Sequence, residues 1–121
     1  MLKKNITYTD YNGKERTEEF RFNLMKTELV RMQNSRKGGL DKLIKDAIAA
    51  EDEQQLYAIF EDIVLKSYGV LDADGITFKK SKELSERFSQ TPAFDELMFE
   101  LLSDEKAAAD FINAVVPAIK R

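Results

Sequence analysis

The chain contains no cysteine and no histidine. Without cysteine there is no disulfide framework, no thiolate nucleophile and no cysteine-zinc site, which fits a reducing compartment. Without histidine the commonest general base, the commonest metal ligand and the side chain that titrates near neutral pH are all missing. An enzyme built on this chain would have to work with carboxylates, lysines or hydroxyls alone. No apolar run follows the two lysines of the opening MLKKNITYTD, so a signal peptide or membrane anchor is not expected, and a cytoplasmic protein is. Neither glycine-rich phosphate loop occurs, and neither does H-E-x-x-H. The net charge of −3 argues against nucleic-acid binding as the main activity.

What remains is an ordinary globular composition. With 43% hydrophobic and 34% charged residues, the 121 residues are enough for a packed core and too few for two. A single domain over 1–121 is expected, with a β-hairpin in 1–24 and helices in 25–121. The fold class is α+β and mostly α: the hairpin, then about five or six short helices around a central amphipathic one.

That central helix is read at Leu56 to Gly69. Leu56, Ile59, Phe60, Ile63 and Val64 recur at spacings of three and four, Tyr57 and Tyr68 widen the stripe, and Gly69 supplies a residue on which helices commonly end. Burying each of the five inward side chains is worth roughly 1.5–3 kcal/mol before chain entropy is charged.

Ahead of it, Lys4 to Tyr11 and Arg16 to Phe22 alternate as strands do, with Asn12-Gly13 between them. The apolar residues Leu2, Ile6, Tyr8, Phe20, Phe22 and Leu24 are all even-numbered. Partners that share a face must then sum to an even number, which calls for a three-residue loop or a bulge rather than the minimal two-residue turn. Thr7, Thr9, Thr17 and Glu19 fall on the outward face. A helix follows from Met25 to about Asn34, with Leu24, Leu29, Val30 and Met32 inward. After the flexible Ser35 to Gly39 comes another, Leu40 to Ala50.

Beyond Gly69, Asp74-Gly75 marks a turn between Val70-Leu71 and Ile76-Phe78, a small hairpin or an irregular crossing. Asp72, Asp74 and Gly75 echo a calcium loop, but its first and twelfth positions would be Val70 and Ser81, so two essential ligands are lacking. Ser81 caps a helix through Phe88. Thr91 with Pro92 is the clearest helix start in the chain, followed by a stripe of Phe94, Leu97, Met98, Leu101 and Leu102. Ser103 ends that helix or caps a last one, which opens at Asp104-Glu105 and runs to Val116 on Phe111, Ile112, Val115 and Val116.

No catalytic, cofactor or metal residues are assigned. Acids such as Asp95, Glu96 and Glu100 sit where exposed helix faces normally carry them. Binding is the better class of function. Leu65 lies outside the apolar arc of its helix, Phe99 at the edge of its own, and Tyr57 and Tyr68 flank the central stripe; with the Gly38-Gly39 hinge they are the candidate partner-binding residues. Lys79, Lys80, Lys82 and Arg87 form the densest basic group, read first as a solvated face and otherwise as a site for an acidic partner or a phosphate backbone.

The segments FRFNLMKTELVRM, GGLDKLI, FEDIVLKSYG and FKKSKELSERFSQTPAFDELMFELLSDEKAAADFINAVVP, in that order, resemble the tail assembly chaperones of long-tailed bacteriophages and prophages. The likeness runs from about Ile6 to Pro117, and its most specific parts are KSYG at Lys66 to Gly69, SQTPAF at Ser89 to Phe94 and AAADFINAVVP at Ala107 to Pro117. Met25 departs from the pattern, standing where a capping threonine is expected. The resemblance implies a non-enzymatic assembly factor of the host cytoplasm, not retained in the virion, that keeps the tape measure protein soluble. It further implies a longer form made by programmed frameshifting, whose extension recruits the major tail tube protein; the close of the sequence soon after Pro117 fits the short form. A homo-oligomer is compatible with this role, and neither nucleic acid nor membrane is an expected partner. The competing readings are a structural tail component and a small nucleic-acid-binding regulator.

Overall fold

In a computed structural model of the chain, residues 1–34, 42, 45, 49 and 52–115 are described. Two strands open it, β1 (Leu2–Thr9) and β2 (Glu15–Phe22), followed by α1 (Lys26–Asn34) and the long α2 (Glu53–Ser67). A second pair of short strands, β3 (Tyr68–Leu71) and β4 (Phe78–Lys79), precedes α3 (Lys82–Ser89), α4 (Pro92–Ser103) and α5 (Glu105–Val115). The class is α+β and mostly helical.

The hairpin has the even-sum register required by its apolar pattern: Leu2 faces Phe22, Ile6 faces Glu18 and Thr9 faces Glu15. Asp10 N–H donates to the Lys14 carbonyl at 2.8 Å and Gly13 N–H to the Asp10 carbonyl at 2.9 Å, which leaves Tyr11, Asn12 and Gly13 as a three-residue loop. Gly13 takes φ of 84°, the left-handed position of a bulged hairpin turn where a side chain would be strained. The Asp10 carboxylate accepts from the N–H groups of Asn12 and Lys14, both at 2.9 Å, and from Arg16 at 2.6 Å. These contacts hold its pKa below the usual carboxylate value, Arg16 contributing most.

All the strands form one sheet in the order β1-β2-β3-β4. The small hairpin expected about Asp74-Gly75 is thus present as β3 and β4, and it joins the first two strands in the one sheet. The central helix ends earlier than its periodicity suggests. Asn23 N–H donates to the Ser67 carbonyl at 2.8 Å, and Tyr68 and Gly69 pair with Phe22 and Arg21, so the chain leaves the helix at Tyr68 and enters the sheet. Gly69 is not a left-handed helix terminator, since among the described residues only Gly13 and Gly75 are glycines with positive φ. It is needed for close approach: a Cβ there would lie 2.6 Å from the Phe78 ring and 2.7 Å from the Lys79 carbonyl oxygen.

The core lies between the even-numbered face of the sheet and the helices. Ile6, Phe22 and Leu24 meet Ile59, Phe60, Ile63 and Val64 of α2, Phe88 of α3, Leu97 and Leu101 of α4, and Phe111 and Val115 of α5, all buried. Phe88 is its aromatic hub, within 5.3–5.8 Å of Phe20, Phe22 and Phe94 and stacked on Tyr68 at 4.3 Å. Leu24 N–H donates to the Val115 carbonyl at 3.2 Å, fixing the end of α5 beside the end of β2.

Local capping explains most helix starts. Asp52, Ser81 and Thr91 each accept a backbone N–H three residues on, and Pro92 opens α4. The cap of α5 is Asp104, whose carboxylate takes the N–H groups of Lys106 and Ala107, rather than Ser103. At α1 the missing threonine is compensated from the third helical position: Glu28 accepts the Met25 N–H at 2.9 Å, the reciprocal half of a capping box. Leu29 is buried as expected, but Val30 is exposed, because it stands about 100° around the helix from Leu29. The side chain of Met32 and the ends at Val116 and Pro117 lie outside the described residues. So does the expected helix over 40–50, apart from Lys42, Lys45 and Ala49, which are helical and exposed.

Candidate partner-binding surfaces

In α4 the buried residues Ala93, Phe94, Leu97, Met98 and Leu101 occupy one arc. At about 100° per residue, Asp95 and Phe99 fall on the opposite side, while Leu102 falls at the margin of the arc, about 40° from Met98. Phe99 is 71% exposed and Leu102 39%. Leu102, expected in the core stripe, thus stands at its edge and is partly open to solvent. Tyr57 of α2 is 39% exposed. Its hydroxyl pKa is raised, first by partial loss of water, then by a hydrogen bond to Glu61 and by the charges of Glu61 and Asp95. Tyr57, Phe99 and Leu102 are thus the large apolar side chains that α2 and α4, two helices packed on each other, leave exposed.

The other candidates are less exposed or lie outside the described residues. Tyr68 is half-buried, its ring stacked on Phe88 with planes 9° apart, and burial is the main cause of its raised pKa. Leu65 is half-buried against the core, and its carbonyl accepts the Ser85 hydroxyl at 2.8 Å. Gly38 and Gly39 lie outside the described residues. Tyr57, Phe99 and Leu102 are thus exposed on α2 and α4, whereas Leu65 and Tyr68 are half-buried against the core.

The basic group is dispersed by the fold. Lys79 pairs with Asp72 at 3.5 Å and Lys82 with Glu86 at 3.9 Å, while Arg87 lies near enough to Tyr68 for its charge to be felt there. Lys80 turns inward, donating to both Glu28 oxygens at 2.8 and 2.9 Å and to the Asn23 carbonyl. Lys80 and Lys82 instead join Arg31 of α1 and Lys66 of α2 around a groove of about 560 Å³, with Glu28, Leu65 and Ser85 also in its wall. The acids of the Asp74-Gly75 turn are used locally. The Asp74 carboxylate accepts from the N–H groups of Ile76 and Thr77, at 2.8 and 3.0 Å, which lowers its pKa. Among the described residues no group of three acids could hold a metal ion.

The geometry is one of surfaces for contact, and the likeness of the whole chain decides which kind of protein carries them. The profile of the phage tail assembly chaperones matches residues 1–119. The chain belongs to that family. No curated protein and no solved structure matches it. Membership implies a non-catalytic role in tail assembly, with phage tail proteins as the class of partner. Among the described residues of this tail assembly chaperone, no helix is long and apolar enough to cross a membrane.

Proposed function

We propose that this chaperone, acting as one domain over its 121 residues, holds the tape measure protein soluble while the tail is built and helps bring tail tube subunits to it. The reading rests on the exposure of Tyr57, Phe99 and Leu102, large apolar side chains of the packed helices α2 and α4 that we take together as one outer ridge, in a family of assembly chaperones. A long helical client with extended apolar surface aggregates until it is covered, and an apolar ridge between amphipathic helices can lie against such a helix. Several copies along one client raise the effective concentration, so each contact need reach only the micromolar class and can yield to tube protein.

The place of action is the host cytoplasm, with release before the virion is complete. A frameshifted extension supplies the contact with the major tail tube protein, and Gly38 and Gly39 provide a hinge beside the client. The pairing of Lys79 with Asp72 and of Lys80 with Glu28 breaks up the basic run and disfavours a nucleic-acid regulator. Co-expression of the tape measure protein with and without the chaperone tests the reading. More soluble client with the chaperone supports it; equal solubility in both cultures refutes it.

A further inference from the structure

We infer that the groove between α1, α2 and α3 is a second docking site, and that it takes an acidic amphipathic segment of a protein partner. Four cations from three parts of the chain, Arg31, Lys66, Lys80 and Lys82, converge on a space of about 560 Å³ in a protein whose net charge is −3. They are not equally engaged. Lys80 is neutralised by Glu28 at 2.8 Å, and Lys66 is held by Asp62 at 3.1 Å. Lys82 reaches Glu86 only at 3.9 Å, with its side chain 91% exposed, a pairing worth little in water. Arg31 is exposed and forms no ion pair with any described residue. Arg31 on one wall and Lys82 on the other thus keep their charge and donors for an incoming group, and arginine suits a carboxylate because it can bind it with two parallel hydrogen bonds.

The floor selects a peptide over a polyphosphate. Leu65, half-buried, offers an apolar seat, and the methylene stems of the lysines extend it. Glu28 in the same wall is satisfied by Lys80 at 2.8 Å, so the charge left open to a ligand is the separated pair Arg31 and Lys82, which suits spaced carboxylates. A fitting segment carries glutamate or aspartate at helical spacings of three and four, with a leucine-sized side chain between them to meet Leu65. The identity of the protein that bears this segment rests on the chaperone reading; the existence of the site does not.

The test is fluorescence anisotropy with the full chain and a short labelled peptide in which glutamates at helical spacing flank leucines. The wild-type protein is expected to bind it, and R31E/K82E to bind about tenfold more weakly, as does the wild type when the glutamates are replaced by glutamine. Both substituted positions are exposed, and R31A/K82A, whose circular dichroism is compared with wild type, gives a smaller loss in the same direction. Equal binding by R31E/K82E, equal binding of the glutamine peptide, absence of binding, or tighter capture of a single-stranded oligonucleotide that shows the same charge-reversal effect would each overturn the assignment. The ridge variant Y57S/F99S keeps wild-type peptide affinity. Loss of client solubility in that variant without loss of peptide binding separates the two sites, so a failure of the groove is not mistaken for a failure of the chaperone reading.

Discussion

Gly69 and Phe78 touch across the β3–β4 pair so closely that a methyl group on Gly69 would sit 2.6 Å from Cε2 of the phenyl ring. The Lys79 carbonyl oxygen stands equally near, at 2.7 Å, and as backbone it cannot turn aside. Gly69→Ala is therefore expected to part the two strands and to cost about 1–3 kcal/mol, the usual range for an overpacked site. Urea unfolding of wild type and variant checks this. Because β3 also pairs with Phe22 at the end of β2, the loss should appear in the single main transition. An unchanged midpoint would mean that the strands separate at no cost.

Phe88 joins sheet to helices through its contacts with Phe20, Phe22, Tyr68 and Phe94. Phe88→Ala should lose about 3–5 kcal/mol, the range for removing a buried aromatic side chain. Tyr68→Phe should cost far less, since the stacked ring is kept and only a hydroxyl is removed. Thermal melts of the two variants should differ widely, and similar melting points would contradict the placement of Tyr68 within this cluster.

The two turns carry the acid sensitivity. Asp10, held mainly by Arg16, and Asp74, held mainly by the Thr77 and Ile76 N–H groups, both titrate below the ordinary value of 3.8 in the folded chain. The unfolded chain then binds more protons in this range, so the contribution of each is complete above that value and is lost as pH falls through the folded pKa. Asp10→Asn with Asp74→Asn should flatten the fall in stability below about pH 4, measured as urea midpoint against pH. A profile that falls as steeply as that of wild type would rule this out.

Much of the fold is legible in local chemistry. Thr91-Pro92 states a helix start, and the even-numbered apolar residues of the hairpin fix a register that only a three-residue loop can close. Tyr68 and Gly69 are misread for a tertiary reason: the helical period continues through Tyr68, while the pairing with Phe22 and Arg21 that diverts it lies more than forty residues earlier. Val30 fails for a local reason, since it stands about 100° around the helix from the buried Leu29. Of the candidate binding residues, Phe99 is legible from the edge of its own helical wheel, whereas Leu65, an outlier on its wheel, is packed against the core by contacts from other elements. The groove is invisible in the sequence, since Arg31, Lys66 and Lys82 belong to three elements, and in the run that does stand out, Lys79 to Arg87, Lys79 and Lys80 are taken up by Asp72 and Glu28.

The ridge across α2 and α4 is the center of the functional account. Its residues are exposed, so replacing Tyr57, Phe99 and Leu102 with serine should change stability by no more than about 0.5 kcal/mol each, the range for surface substitutions. The most direct measurement is the fraction of tape measure protein that stays in the supernatant when co-expressed with the wild-type chaperone or with the triple-serine variant. The account predicts that wild type keeps the client soluble and that the variant, folded and equally abundant, leaves it in the pellet. Client that is just as soluble with the variant would show that the ridge does not hold it.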